Sequence, residues 1–242
     1  MKTLGLIGLG QFGRLAADRL KDRFEILAHD AADRSADSAA LGIAWGSLAE
    51  AASRDVVIVA VPVRVMRETF QAIAPHLRPG ALVVDVGSVK MLPAQWMLET
   101  LPAHVDIVAT HPLFGPQSAR ESLAGQRLVI CPVRGDRHHS IVRLATEMGL
   151  IPNVTSAEEH DREMAYVQAL THLIGRSLAG LDIPDEQLKT ASYQHLLELM
   201  RLIRDDSFEL FTAIQTLNPY AAEIAGAFVK QAEGLLEKVQ EK

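Results

Sequence analysis

Short apolar runs alternate with helix-length amphipathic stretches from the start of the chain to about residue 155. The apolar runs are rich in Val, Ile and Leu and end at Gly, Pro or Asp, as buried strands do. They predict strands at 3–7, 25–29, 55–61, 81–86, 106–110, 127–133 and 150–154. The stretches between them predict helices at 11–21, 65–74, 92–100 and 137–148. This alternation indicates strand-helix-strand units around a mostly parallel sheet.

After Ala157 the β-branched runs disappear, and helical periodicity continues to the end of the sequence. A first helix is predicted at 158–181. At 100° per residue its apolar arc consists of Val167, Leu170, Ile174, Leu178 and Leu181. A separate polar stripe consists of Gln168, His172 and Arg176.

Further helices are predicted around 186–204 and from Asp206 onward. Asn218 followed by Pro219 is typical of an N-cap and a first helical residue, and predicts where the last helix begins. We therefore predict an α/β domain over 1–155 and a small all-helical domain over 156–242. A helical domain of this size buries little surface alone, which favours packing against a second copy as a homodimer.

Composition narrows the class of partner. With 242 residues, 48% of them hydrophobic and 22% charged, the chain can bury a substantial core, and it carries no long apolar segment of the membrane-spanning kind. A net charge of -6 without a basic cluster argues against nucleic acid. We expect a small-molecule partner. The single cysteine, Cys131, is expected to be a small buried hydrophobe, and the absence of zinc-site spacing predicts no metal. Since one cysteine cannot form an internal disulfide, we expect a reducing compartment and predict a cytoplasmic protein.

A glycine-rich turn follows the first predicted strand and opens the first predicted helix. In it Gly8 permits a tight turn, Gly10 lets a pyrophosphate approach the backbone, and Gly13 allows close packing of helix on sheet. The helix start, at Gln11 and Phe12, supplies amide donors and a partial positive charge. This context favours a dinucleotide site over a glycine-rich turn without ligand.

The next strand ends at Asp30, whose carboxylate can accept hydrogen bonds from ribose hydroxyls and would repel a 2'-phosphate. We therefore predict NAD rather than NADP. Arg34 complicates this prediction, although on a following helix it would be a solvated charge.

Three further residues are predicted at the carboxyl edge of the sheet, where ligands bind in such folds. Val61 and Pro62 end the third strand, although Pro62 could serve only to stop it. Gly87 follows the fourth strand.

Ser88 and His111 follow neighbouring strands, so we expect them to converge at this edge near the nicotinamide. A neutral imidazole can accept a hydroxyl proton as hydride leaves the same carbon. The alternatives are a structural histidine at position 111 and a serine that only caps its loop. Lys90 is expected to face water rather than a carboxylate.

The predicted first helix of the second domain carries Gln168, Thr171, His172 and Arg176 on one side. Arginine suits bidentate binding of a carboxylate, so this side could close over an acidic substrate. The alternative is a polar seam between domains or subunits.

Together these segments resemble the prephenate and arogenate dehydrogenases of tyrosine biosynthesis over nearly the whole chain. The discriminating stretches are Gly87-Ser88-Val89-Lys90 and His111-Pro112-Leu113-Phe114-Gly115-Pro116. The C-terminal stretches Thr171–Arg176 and Asp206–Phe211 look most like the plant-type arogenate dehydrogenases. The resemblance implies a Rossmann-type domain, a helical dimerisation domain and oxidative decarboxylation of a cyclohexadienyl substrate.

By the same resemblance, His111 hydrogen-bonds the ring hydroxyl while hydride passes to the nicotinamide. Ser88, Gln117 and Ser118 match motif positions near the substrate. His172 and Arg176 match the helical segment that meets its carboxylates.

Two departures from the plant pattern, and one difference from other relatives, shape the prediction. His29-Asp30 replaces a short polar plus basic pair that suits NADP, which argues for NAD. Cys131 aligns roughly with an acidic residue associated with the ammonium group of arogenate, so prephenate is favoured. Thr171 stands where other relatives carry arginine, which leaves open the group that holds the ring carboxylate.

The predicted function is NAD-dependent oxidative decarboxylation of prephenate to 4-hydroxyphenylpyruvate, with conversion of arogenate to tyrosine as the related reaction. Two alternatives are an imine or 3-hydroxyacid reductase of similar two-domain plan and a non-catalytic dinucleotide sensor.

Overall fold

The computed structural model describes residues 2–119, 121–181, 183–184, 187–204 and 206–241. The chain divides into two compact units, Met1–His160 and Asp161–Lys242. The sequence placed a domain boundary between residues 155 and 156, just before a helix at Ala157–Met164, whereas the division between units falls inside that helix.

The first unit is built on one sheet that has eight strands in the described part of the chain. They are β1 (Lys2–Ile7), β2 (Phe24–His29), β3 (Ala44–Trp45), β4 (Val56–Val59), β5 (Leu82–Asp85), β6 (Asp106–Pro112), β7 (Arg127–Arg134) and β8 (Ile151–Val154). Their order across the sheet is β3-β2-β1-β4-β5-β6-β7-β8. All neighbouring pairs are parallel except β6 and β7. This confirms the Rossmann-type, mostly parallel sheet.

The helices of this unit connect the strands. They are α1 (Gln11–Leu20), α2 (Ser35–Leu41), α3 (Leu48–Ala52), α4 (Val63–Ile73), α5 (Met91–Thr100) and α6 (His138–Glu147), with a 3-10 turn at Ala74–His76. The elements α2, β3 and α3 were not predicted from the sequence, because they are too short to show a clear period. A capping box formed by Ser47 and Glu50 starts α3.

The register of the sheet determines which side chains can meet at its carboxyl edge. Ile7 pairs with Val59, Val59 with Asp85, and Asp85 with Ala109. Because β6 continues past Ala109, His111 lies beyond the last residue of β5, at the edge where the parallel strands end. Apolar strand residues pack beneath this edge, including Leu6, Val84, Val108 and Ile130.

The second unit is helical. Its elements are α7 (Ala157–Met164), a π-helical segment (Ala165–Leu170), α8 (Thr171–Ala179), α9 (Ala191–Arg204), α10 (Phe208–Leu217) and α11 (Ala221–Gln240). The prediction of one regular helix over 158–181 was therefore wrong in detail, because a π-helix turns by less than 100° per residue. The predicted start of the second helix, Glu186, lies outside the described residues.

The π-helical segment also changes which face of this helix is buried. The predicted apolar arc is largely exposed at its ends, with Val167 60% and Leu181 69% accessible. The buried positions include Ala169, His172 and Gly175 instead.

The start of the last helix differs from the prediction. α11 begins at Ala221, after Tyr220 in the N-cap position. Asn218 forms a turn before the helix, since its Oδ1 accepts a hydrogen bond from the Tyr220 amide at 2.9 Å. Pro219 lies in that turn. Among the residues described, no helix combines the length and apolar character needed to cross a membrane.

Candidate active site

Two glycines make the turn between β1 and α1 possible. Gly8 has a φ of +99°, and a Cβ there would lie 2.4 Å from the Ala60 carbonyl oxygen. A Cβ at Gly13 would lie 2.1 Å from the Gly8 carbonyl oxygen. Gly10 differs, because no atom lies within 4 Å of its would-be Cβ. The backbone at Gly10 is therefore open to a ligand, while Gly8 and Gly13 hold the turn in shape.

The start of α1 has the properties of a phosphate site. Gly10 occupies the N-cap position and supplies no side-chain cap. Gln11 and Phe12 form the first turn, where helix amides point outward and carry partial positive charge. The residues present therefore fit the pyrophosphate of a dinucleotide.

Asp30 lies beside this turn, just after β2. Its Oδ2 accepts a hydrogen bond from the Leu9 amide at 2.7 Å, and its Oδ1 accepts one from the Ala32 amide at 3.0 Å. A carboxylate has further lone pairs, which suit the two ribose hydroxyls of an adenosine. Arg34, the cation that complicated the cofactor prediction, is half-exposed and lies 3.7 Å from the Asp37 carboxylate.

The three other predicted cofactor residues also lie where strands end. Val61 and Pro62 follow β4, and Pro62 is the N-cap residue of α4. Gly87 follows β5 and donates its N–H to the Asp85 carboxylate at 2.8 Å. A Cβ at Gly87 would approach Met66 Cε to 3.0 Å, so this turn is closely packed.

Lys90 corrects a prediction. It was expected to face water, but its side chain is fully buried and forms an ion pair with the equally buried Asp85. Its ammonium also donates a hydrogen bond to the Thr110 carbonyl oxygen at 2.5 Å. Burial of a cation is tolerable here because a carboxylate and a carbonyl replace its water.

This buried ion pair joins the ends of two strands. Thr110 Oγ1 donates to the Asp85 carbonyl oxygen at 2.6 Å, in addition to the contact between Lys90 and Thr110. Burial raises the pKa of Asp85, and the Lys90 ammonium opposes that rise. The network fixes the backbone immediately before His111 and the turn that carries Ser88.

His111 is buried, with 5% of its surface accessible. Its Nδ1 lies 2.9 Å from Nε2 of His160, a second buried histidine, and the two rings meet edge to face. Burial lowers the pKa of His111 well below 6.5, and the neighbouring His160 and Lys90 side chains lower it further. His111 is therefore neutral at physiological pH, as a proton acceptor must be.

The sequence analysis missed His160. The contact joins residues 49 positions apart, and no local pattern reports it. The sequence does show where the helix that carries His160 begins, because Ser156 and Glu159 have the spacing of a capping box.

The remaining predicted residues of this unit lie in turns. Ser88 is half-buried between β5 and α5. Gln117 and Ser118 are exposed, and the Ser118 hydroxyl accepts a hydrogen bond from the Gly115 amide at 3.0 Å. Ser118 therefore stabilises its own loop in this structure.

The helical unit contains the other predicted cluster. Three polar atoms there are buried and have no hydrogen-bond partner among the described residues: Gln168 Oε1, His172 Nδ1 and Arg176 Nε. Unsatisfied buried atoms of this kind are costly and often mark a place for a ligand or water. Gln168 lies in the π-helical segment, and such segments occur frequently at functional sites.

Neighbouring side chains hold two of these residues in place. His172 Nε2 lies 3.6 Å from an Asp206 carboxylate oxygen, and Arg176 donates to the Asp206 carbonyl oxygen. The Arg176 guanidinium also lies 5.2 Å from the ring centre of Phe211. Burial lowers the pKa of His172, which Asp206 partly opposes. Thr171, half-buried, begins α8.

An apolar cavity of about 500 Å³ lies on the first unit, bordered by α1, α6 and one face of the sheet. Its lining includes Leu4, Val84 and Phe114, with Arg19 and Arg143 among its polar residues. Its lining also includes Phe12, Thr110 and Pro112, so the cavity extends from the sheet face toward the strand ends that carry the glycine turn.

The fold and the glycine turn define a dinucleotide-binding α/β domain of the Rossmann type. Residues 16–148 match the prephenate dehydrogenase nucleotide-binding domain, and residues 177–242 match a TYRAAT1-like C-terminal domain. The chain belongs to the prephenate dehydrogenase family.

Relatives and solved structures agree with this assignment. The chain is 33% identical over 205 residues to the "Probable arogenate/prephenate dehydrogenase" of Methanocaldococcus jannaschii, covering 80% of this chain and 46% of that protein. It is 30% identical over 232 residues to arogenate dehydrogenase 1, chloroplastic, of Arabidopsis thaliana, covering 91% of this chain and 36% of that protein. The chain thus spans less than half the length of these two relatives.

The fold is similar to that of prephenate dehydrogenase from A. aeolicus, solved in complex with hydroxyphenyl propionate and NAD+. The TM-score is 0.81 at 22% identity, with 100% of this chain and 91% of that chain covered. At this identity the likeness shows the fold.

Proposed function

We propose that this chain catalyses the NAD-dependent oxidative decarboxylation of prephenate to 4-hydroxyphenylpyruvate, and that arogenate, which yields tyrosine, is the related substrate. The observation that carries the proposal is His111: a buried, neutral imidazole at the strand edge that also bears the glycine turn. Membership of the prephenate dehydrogenase family supports the same reaction.

The cofactor residues are Gly8, Gly10, Gln11, Phe12, Gly13, Asp30, Val61, Pro62 and Gly87. In this assignment the α1 amides bind the pyrophosphate and Asp30 binds the adenosine ribose. When bound, NAD supplies the acceptor for a hydride from the hydroxyl-bearing ring carbon. The Asp30 carboxylate disfavours a 2'-phosphate, which supports NAD over NADP.

His111 accepts the hydroxyl proton at Nε2 as that carbon is oxidised. The ring carboxylate then leaves as carbon dioxide, and its bonding electrons pass into the ring. The ring oxygen takes the proton back as the phenol forms, so no net proton is consumed. Aromatisation drives the reaction forward, so the protein's task is to align the carbon, the cofactor and the imidazole.

The remaining residues bind the substrate. Ser88 is assigned to the ring hydroxyl and His111, while Gln117 and Ser118 line the approach. Gln168, Thr171, His172 and Arg176 bind the carboxylates. The buried unpartnered atoms of Gln168, His172 and Arg176 support this assignment, because an anion with bound water would satisfy them.

Two finer points belong to the same proposal. Cys131 is buried and brings no negative charge, which favours prephenate over the ammonium-bearing arogenate. A homodimer formed through the helical unit is supported by the exposed apolar residues of α11, among them Val229, Leu236 and Val239. The cytoplasmic location expected from the sequence remains part of the proposal.

An assay of NADH or NADPH formation tests the proposal, with prephenate and arogenate each offered with NAD and NADP. We expect the fastest turnover with prephenate and NAD, together with release of carbon dioxide. Reduction of an imine or a 3-oxoacid by NADPH, with indifference to prephenate, would instead support the reductase alternative. Cofactor binding without turnover of any substrate would support a sensor.

A further inference from the structure

We propose that His160 is a positioning residue for His111: it fixes the tautomer in which His111 Nε2 is free to accept the substrate proton. This inference deepens the proposed function and rests on it. The sequence analysis assigned no role to His160.

The contact itself imposes a choice of tautomer. His111 Nδ1 and His160 Nε2 lie 2.9 Å apart, so one ring nitrogen donates and the other accepts. If His160 donated, neutral His111 would carry its proton on Nε2 and could not act as a base. If His111 donates from Nδ1, its Nε2 lone pair is free and His160 carries its own proton on Nδ1. Only the second arrangement supports proton abstraction.

The position of His160 is set by the first unit. A capping box between Ser156 and Glu159 starts α7, with the Glu159 amide 3.1 Å from Ser156 Oγ. The Thr155 amide donates to the Ile130 carbonyl oxygen at 3.1 Å, which ties the same segment to β7. His160 itself is 2% accessible. A buried ring on a capped helix start has little freedom to turn away from His111.

An imidazole partner has a different electrostatic effect on His111 from a carboxylate partner. A carboxylate at this position would favour the imidazolium and raise the pKa of His111. Beside His111 lie the His160 ring, the Lys90 ammonium and, paired with Lys90, the Asp85 carboxylate. The His160 and Lys90 side chains both lower the pKa of His111, and the Asp85 carboxylate is ion-paired with Lys90. The surroundings of His111 therefore favour its unprotonated form.

Three substitutions at His160 distinguish a positioning role of its side chain from a purely steric one. His160→Gln keeps a neutral acceptor, and we expect kcat within about tenfold of the parent. His160→Leu removes the acceptor, and we expect kcat to fall about a hundredfold with the KM for NAD unchanged. His160→Glu introduces a carboxylate, and we expect the acidic limb of the kcat/KM profile to move up by about one pH unit or more.

The control is His104→Gln, which removes an exposed histidine outside the site, whose Nε2 lies 3.2 Å from the Leu77 carbonyl oxygen. This variant should leave kcat and the pH profile unchanged. Thermal unfolding of all variants distinguishes loss of fold from loss of rate.

A direct readout does not need activity. ¹⁵N NMR of histidine-labelled protein should report His111 as the Nδ1–H tautomer, and His160→Leu should abolish that preference. An Nε2–H tautomer at His111 in the parent protein, or full kcat and an unmoved pH limb in both His160→Leu and His160→Glu, would overturn the inference. A parent protein without dehydrogenase activity would instead refute the proposed function, and the tautomer measurement would still decide the pairing.

Discussion

The predicted site residues of the two compact units differ in how their buried polar groups are paired, although the sheet unit also has buried atoms without a partner among the described residues, such as Asp85 Oδ1. In the sheet unit, Lys90 is fully buried and contacts both a carboxylate and a carbonyl, and His111 contacts His160. In the helical unit, Gln168, His172 and Arg176 each keep a buried polar atom without a partner among the described residues. The sheet unit therefore positions its imidazole by itself, whereas the helical unit leaves hydrogen bonds that a ligand would complete.

Apolar residues show the same contrast. The sheet unit buries most of its large apolar side chains, many of them in one cluster that includes Leu4, Leu6 and Leu9, and exposes fewer, such as Leu98 and Val154. The helical unit exposes several, among them Leu202, Phe208 and Val239. The helical unit therefore has more exposed apolar surface than the sheet unit, and contacts with a further molecule would cover it.

If His111 is the base of the sheet unit, its loss should have the largest effect. We expect His111→Gln to lower kcat by about a thousandfold, within the usual contribution of a general base. Cofactor binding should survive, since the glycine turn is untouched. NADH formation and NAD titration measure the two effects. Turnover equal to that of the parent protein would remove His111 from the mechanism.

If the stability of the sheet unit depends on its buried ion pair, Lys90→Met should lower its free energy of unfolding. Leaving the Asp85 carboxylate buried without its partner is expected to cost about 3–5 kcal/mol in unfolding free energy. Chemical denaturation measures this, and the double variant with Asp85→Leu should recover part of the loss. A single variant as stable as the parent would contradict the role given to the pair.

The glycine turn offers a test that separates fold from cofactor binding. Gly10→Ala should leave stability unchanged, because nothing lies within 4 Å of the added Cβ. It should raise the KM for NAD about tenfold by crowding the pyrophosphate. Gly13→Ala should instead lower the melting temperature, because its Cβ would meet the Gly8 carbonyl oxygen at 2.1 Å. Equal behaviour of the two variants would count against the proposed phosphate site.

If the helical unit completes its hydrogen bonds with the substrate, Arg176 should act on substrate binding. We expect Arg176→Lys to raise the KM for prephenate about tenfold, since lysine lacks the planar fork for a carboxylate. The exposed Arg201→Lys is the control and should change nothing. Steady-state kinetics at saturating NAD measures both. An unchanged KM in Arg176→Lys would favour a purely structural polar seam.

The smallest expected effect concerns pH and stability in both units. Burial lowers the pKa of His111 and of His172 in the folded state. Below pH 6.5 the unfolded chain therefore binds protons that the folded chain does not, and unfolding free energy falls as pH falls. Each histidine contributes at most about 1.4 kcal/mol per pH unit. His111→Gln should reduce this slope, as denaturation between pH 6.5 and 5 would detect; an unchanged slope would contradict the lowered pKa.

The strand predictions, and the predicted tight turn at the glycine fingerprint, are confirmed where the signal is local. Residues such as Gly8 and Gly13 follow directly from the demands of a tight turn, and the apolar runs locate seven of the observed strands. The short elements α2, β3 and α3 were missed because a few residues cannot establish a period.

The failures arise from contacts between distant residues. Lys90 is charged and was expected in water, but its partner Thr110 comes from another strand. His160 meets His111 across 49 positions. The π-helical segment rotates His172 onto the buried face, and a fixed 100° period cannot anticipate that rotation. Tertiary contacts, and not local preference, decide these positions.

The central claim is that one ring carbon lies between His111 and the cofactor. A crystal structure of the chain with NAD and a 4-hydroxyphenyl carboxylate product tests it most directly. We expect the phenolic oxygen within hydrogen-bond distance of His111 Nε2, with a carboxylate at His172 or Arg176. A product bound with its phenolic oxygen away from His111, or carboxylates held by neither residue, would contradict the account.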